Sequence, residues 1–247
     1  MHRFHLPPAA CRGSTLTLAD REAHHALHVL RVQPGDRVAV LDGAGREFLC
    51  DVAETTRHEV RLAVRHATQH PPLPRDITLI QAVTKSRSMD WVVQKATELG
   101  TRRIIPVIAD RSVPRLDSGA ADRATKWQEI AVEALKQCGT PWLPRIEPPE
   151  PLASSIARTE RFPLSLLASL QPGAQHPREV LKAYAADHGA PPKAAAVWIG
   201  PEGDFTPAEM LEIRATGAQP ITLGPLVLRS ETAAVYCLAF LAYELNA

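Results

Sequence analysis

The chain has 247 residues, 45% hydrophobic and 22% charged, which excludes a disordered polypeptide and leaves room for one large domain or two smaller ones. A formal net charge of +1 excludes a global basic footprint, so any nucleic-acid surface must be a local patch. Cys11, Cys50, Cys138 and Cys237 show no CxxC spacing, so neither a zinc site nor a disulfide framework is expected, and reduced thiols in a cytoplasmic protein are the plain expectation.

The N-terminal stretch MHRFHLPPAACRG has no apolar h-region, so no secretory leader is expected. The segment that follows reads as short strands. STLTL at Ser14 to Leu18 alternates, RVAVLDGAGREFLCDVAE carries two extended runs around Asp42-Gly43-Ala44-Gly45, and EVRLAVR at Glu59 to Arg65 alternates again. One helix, Asp20 to Arg31 with Asp20 as N-cap, interrupts them. A small β-barrel carrying one helix is the economical fold. Eight of the ten histidines lie before residue 71, and HPPLPR at His70 to Arg75 reads as a linker. Two domains are therefore expected, 1–72 and 73–247.

Beyond the linker, strand and helix alternate. Strands are predicted at Ile77 to Val83, Arg103 to Ile108, Leu164 to Ser169, Ala195 to Ile199 and Pro220 to Leu223. Helices are predicted at Ser88 to Leu99, Ala120 to Cys138, Pro177 to His188, Thr206 to Thr216 and Ser230 to Leu245. This alternation predicts an α/β domain with a mostly parallel sheet covered on both faces. Trp91 and Trp127 fall on amphipathic helices and are expected in the core. The apolar run Ala233 to Tyr243 is too short to span a bilayer, and no membrane partner is expected.

Two loops carry the chemistry. In AAVWIGPEGDFTPAEM a buried strand breaks at Gly200-Pro201-Glu202-Gly203 and restarts as a helix, with Thr206 as N-cap, Pro207 in the first turn and Glu209 closing a capping box. ITLGPLVLRSETAAVY repeats the pattern around Gly224-Pro225. Ligands of open parallel sheets bind outside the carboxyl ends of the strands, and glycine lets the backbone approach them. Neither loop matches GxGxxG or GxxxxGK[ST]. Leu226 to Leu228 suit a base or thioether better than phosphate, and Glu202 would repel a phosphate.

These two stretches resemble the RsmE family of SPOUT-class ribosomal RNA methyltransferases. The resemblance extends through TKSRSMDWVVQKATELGTRRIIPVIADRSV, KWQEIAVEALKQCGTPWLPRI and the N-terminal HHALHVLRVQPGDRVAVLDGAG. It implies a PUA-like RNA-binding domain at 1–72 and a methyltransferase domain with a C-terminal trefoil knot at 73–247. Physical rules by themselves argue against a knot. It also implies S-adenosyl-L-methionine as cofactor, N3 of a small-subunit rRNA uridine as the methyl acceptor, the RNA or the 30S subunit as partner, and a homodimer with its active site at the interface. The cofactor residues implied are Leu170, Ile199, Gly200, Pro201, Glu202, Gly203, Leu223, Gly224, Val227, Leu228 and Ser230, with Arg229 and Glu231 catalytic. Two positions depart from the family pattern: Asp204 stands where a second glycine is common, and Leu226 where an arginine often precedes Val-Leu-Arg.

For Arg229 and Glu231 the competing reading is a structural ion pair at a helix N-terminus. Arg3, Arg31, Lys85 and Arg87 are candidate RNA contacts, although Lys85, Arg87 and Lys95 fit a solvated face equally well. His24 and His28 sit one helical turn apart, but no partner pair completes a metal site. Rival functions are a non-enzymatic RNA-binding protein on a decayed methyltransferase fold, and a nucleotide-binding dehydrogenase, which the missing dinucleotide fingerprint disfavours.

Overall fold

Residues 1–112, 120–158 and 160–246 are described by the computed structural model. They divide into two units, one of Met1–Pro72 with Val132–Leu143, the other of Leu73–Ala131 with Pro144–Ala247.

In the first unit five strands form one curled sheet in the order β1-β3-β4-β5-β2: β1 (His2–His5), β2 (Thr15–Leu18), β3 (Arg37–Leu41), β4 (Arg46–Thr55) and β5 (Val60–Gln69). β1 pairs parallel to β3 and the other pairs are antiparallel. Phe4, Leu16, Leu18, Val38, Val40, Cys50 and Leu62 fill its core. β1 has no sequence signature because Phe4 is its single buried residue. The turn between β3 and β4 needs glycine: Gly45 has φ +94, and a Cβ there would run into the Trp142 ring. The predicted helix begins as α1 (Asp20–His24) and continues as a π-helical segment, His25–Leu30. Its N-cap is Ala19, not Asp20; Asp20 is itself the first helical residue, at φ 47. The His24 and His28 rings lie 4.8 Å apart. Among the described residues no group of three or more His, Cys, Asp or Glu could hold a metal ion.

The second unit holds a parallel sheet in the order β12-β10-β11-β6-β7-β8, with β9 also on β7. Its strands are β6 (Asp76–Ala82), β7 (Arg103–Ile108), β8 (Arg145–Ile146), β9 (Glu150–Pro151), β10 (Leu164–Ala168), β11 (Ala194–Ile199) and β12 (Gln219–Ile221). The helices are α2 (Ser86–Glu98), α3 (Ala120–Cys138), α4 (Leu152–Ala157), α5 (Pro177–His188), α6 (Pro207–Ala215) and α7 (Ser230–Asn246). On one face Leu152 of α4 and Met210 and Ile213 of α6 pack against Ile80, Ala82, Ile105 and Trp198. Strand alternation turns Leu79 and Gln81 to the opposite face. There α7 packs on β6, β11 and α2. β8, β9 and α4 were not expected: two strands of two residues and a single helical turn and a half carry no period to read.

α2 buries Met89, Val92, Val93 and Ala96 as its pattern predicts. Trp127 is buried as expected, but Trp91 is 40% exposed, because it lies off the stripe those four residues define. No helix of the described residues is long and apolar enough to cross a membrane.

Candidate active site

Parallel strands end at a common edge, and the loops leaving that edge converge. Here residues 169–174 after β10, 200–206 after β11 and 222–229 after β12 enclose a cleft of about 600 Å³. Each loop is held by its own short hydrogen bonds. The Ser169 hydroxyl accepts from the Gln171 amide at 3.1 Å, and the Thr222 hydroxyl accepts from Gly224 at 3.3 Å. In the middle loop the Asp204 amide donates to the Pro201 carbonyl at 3.0 Å. The Arg111 guanidinium donates to the Gly203 carbonyl at 2.8 Å. The loop then enters α6 through the complete capping box of Thr206 and Glu209.

Of the residues expected at the cofactor, Leu170, Ile199, Gly200, Pro201, Glu202, Leu223, Gly224, Val227, Leu228 and Ser230 line this cleft. Gly203 does not: a Cβ there would meet the aliphatic part of Arg111 at 3.4 Å. Gly224 has φ +105 and open space around it. Leu226 and Val227 are 72% and 77% exposed at the lip. The Ser230 hydroxyl donates to the Gly200 carbonyl at 2.5 Å, joining the start of α7 to the middle loop.

Arg229 lines the cleft from the N-cap position of α7, where its carbonyl accepts from the Ala233 amide at 2.8 Å. Its side chain is exposed, and among the described residues no ion pair joins it to Glu231, which is half-buried beside the cleft rather than in its wall. Among the described residues it is the single cationic side chain lining the cleft. Asp204 also lines the cleft, at φ 60, with its carboxylate accepting from the Phe205 amide at 2.8 Å. Burial pushes that carboxyl above its ordinary range, against the opposing pull of the Phe205 amide and Arg111. Aspartate tolerates the left-handed region better than most residues, so this backbone conformation does not demand glycine at position 204.

The candidate RNA residues fall in different settings. Arg3 donates to the Gln137 carbonyl at 3.2 Å and so occupies the C-terminus of α3, while Arg31 is exposed in the left-handed conformation that ends the π-helical segment. Lys85 and Arg87 are exposed at the start of α2, and Lys95 pairs with Glu98 at 2.8 Å.

The chain matches the sequence family described as "RNA methyltransferase domain" over residues 71–242 and that described as "RNA methyltransferase PUA domain" over 18–65. It is 31% identical to the ribosomal RNA small subunit methyltransferase E of Aquifex aeolicus over 93% of this chain and 95% of that one. The Bacillus subtilis protein of the same name is 29% identical over 93% and 90%. The chain belongs to the RsmE family. A crystal structure of the Neisseria gonorrhoeae member bound to S-adenosyl methionine superposes with a TM-score of 0.85 at 31% identity, covering 99% of this chain and 98% of that one.

The cleft's chemistry fits the cofactor of an RsmE protein. Its volume lies within the range for small-molecule sites, and Leu170, Ile199, Leu226, Val227 and Leu228 offer apolar surface for an adenine ring or a thioether. Glu202 and Asp204 suit a cationic ligand and oppose a phosphate. Two parts of the site escaped the sequence reading. The first is most of the 169–174 loop, whose signal is the Pro172-Gly173 pair after an apolar strand. The second is Gln81, buried in β6, whose amide donates to the Ser230 hydroxyl at 3.0 Å. Its signal is a lone amide inside ITLIQAV.

Proposed function

We propose that this chain methylates N3 of a uridine in small-subunit ribosomal RNA, acting in the cytoplasm on the assembled subunit. The observation that carries the reading is the exposed Arg229, without an ion-pair partner among the described residues, on the wall of a cleft whose other lining residues suit S-adenosylmethionine. Bound there, that cofactor supplies an electrophilic methyl group on a positively charged sulfur. The chain's own task is to orient the acceptor and stabilise charge on it. A uracil ring nitrogen is a nucleophile once its proton has left, and the resulting negative charge is met by the Arg229 guanidinium. Glu231, in the first turn of α7, orients the acceptor or takes that proton. Backbone and apolar groups of the three loops hold the cofactor and exclude water.

The same reading makes residues 1–72 an RNA-binding domain, with Arg31 its phosphate contact. It makes the enzyme a homodimer, which the exposed Leu226 and Val227 at the cleft lip support. It includes the trefoil knot. Supporting this, the chain leaves β12 at the sheet edge beside β10 and returns to start α7 against β6 and β11. The test is methyl transfer from labelled S-adenosylmethionine to small subunits from a strain lacking the modification. Mass spectrometry should find one 3-methyluridine in the small-subunit RNA. Cofactor binding with no transfer to these subunits, or transfer to a different atom, would sink the reading.

A further inference from the structure

We propose that Gln81 is a positioning residue of the methyl-transfer site, acting through the Ser230 hydroxyl to fix the Gly200 carbonyl. The inference rests on reading the cleft as the cofactor site. Gln81 is fully buried in β6, on the face that α7 covers. Its amide nitrogen donates to the Ala82 carbonyl at 2.9 Å and to the Ser230 hydroxyl at 3.0 Å. A carbonyl can only accept, so Ala82 dictates which end of the amide points there. Ser230 then accepts from Gln81, and its own proton goes to the Gly200 carbonyl at 2.5 Å. A carbonyl at each end thus sets the direction of the whole relay.

The relay ties three segments that are far apart in the chain: β6, the loop after β11, and the first residue of α7. Two of them are cleft walls, and Arg229 is one peptide bond from Ser230. Displacing the serine therefore moves both the cofactor loop and the cation. Packing does not explain the glutamine, because leucine or methionine would fill the space without burying polar atoms. The Gln81 Oε1 has no hydrogen-bond partner among the described residues. A buried oxygen left in that state is a cost that a filler residue would avoid.

Gln81→Leu removes the donor and keeps the bulk. It should weaken S-adenosylhomocysteine binding by calorimetry, and slow single-turnover methyl transfer at saturating cofactor, each about tenfold. Ser230→Ala should match it, and the double variant should be no worse than either single one, since both remove one relay. Gln81→Glu gives the signature that a purely structural role lacks. An ionised carboxylate would take the Ser230 proton away from Gly200, whereas a protonated one can donate as glutamine does. Its defect should therefore shrink as pH falls, with no such recovery in Gln81→Leu. Wild-type affinity and turnover in Gln81→Leu, whatever its melting temperature, would overturn the proposal, as would single-variant losses that multiply in the double. Binding of S-adenosylhomocysteine that survives Gly224→Val undiminished would instead overturn the cleft reading itself.

Discussion

Arg229 and Gly224 illustrate what single residues do here. Arg229 sits at the N-cap position of α7, so its backbone is fixed by the helix while its side chain stays exposed on the cleft wall. A cation so placed matters most when the uracil ring carries negative charge, and interactions that strengthen in the transition state are those that raise the rate. Arg229→Ala should therefore lower single-turnover transfer roughly a hundred- to a thousandfold while changing cofactor affinity little. Raising the pH should recover part of the loss, because more uridine is then deprotonated. A large rise in the cofactor dissociation constant with near-normal turnover would make Arg229 a binding residue instead. Gly224 is a backbone matter. Its φ of +105 is a conformation that β-branched residues rarely adopt, and its surroundings are open. Gly224→Val should weaken cofactor binding by at least about tenfold, since left-handed strain of about 1–3 kcal/mol must be relieved by moving the loop. Calorimetry with S-adenosylhomocysteine reads it directly. Gly203, by contrast, resembles its loop neighbours in sequence yet points at Arg111, a difference that no local pattern reveals.

Elements were legible in proportion to how much of their stability is local. The helix after the GPEG loop was placed from its Thr206 to Glu209 capping box and Pro207, all of which act within one turn. The short β8 and β9 and the six-residue α4 are held instead by neighbours distant in sequence. Glu147, just after β8, is buried and accepts from Arg103 at 2.6 Å and Arg158 at 2.5 Å. Arg103 also binds Glu160 at 2.6 Å and Arg158 binds Glu150 at 2.8 Å. Burial by itself would raise the Glu147 carboxyl, but hydrogen bonds from Arg158 and Arg103 outweigh it and hold the group below its ordinary range. A carboxyl depressed in the folded state stabilises the protein above the unfolded carboxylate range, and that contribution is lost as pH falls through the folded value. Glu147→Gln should cost about 1.5–3 kcal/mol near neutrality, the scale of hydrogen bonds to charged groups. The loss relative to wild type should narrow as pH falls below the ordinary glutamate range and through the lower folded value, where the wild-type carboxyl protonates too. Urea melts at several pH values would show a constant difference if the cluster carried no such linkage.

At the scale of the molecule, the proposed function places RNA recognition and methyl transfer in different parts of the chain, so they should separate on mutation. Arg31→Glu should weaken RNA binding without altering cofactor affinity, and should flatten the dependence of RNA affinity on salt concentration, since one phosphate contact is lost. An unchanged salt slope would move the RNA surface away from Arg31. The sequence by itself determined the strand–helix alternation, the two Gly-Pro loops and the apolar stripes of α2 and α3, because period, caps and turn residues act over a few positions. It also carried the family resemblance, through segments spread along the chain. What it left undecided needed neighbours in space. Trp91 could be read as core until α2 turned a different stripe inward. Asp20 looked like a cap until the backbone gave that position to Ala19. Arg3 stands beside Arg31 as an RNA candidate in the sequence, and only the structure sets its guanidinium on the Gln137 carbonyl at the end of α3. Gln81 is one polar residue in an apolar strand, and only the tertiary structure sets it against Ser230, 149 positions away. Such pairings are fixed by the order of strands in the sheet, and strand order depends on packing between segments that share no local sequence signal.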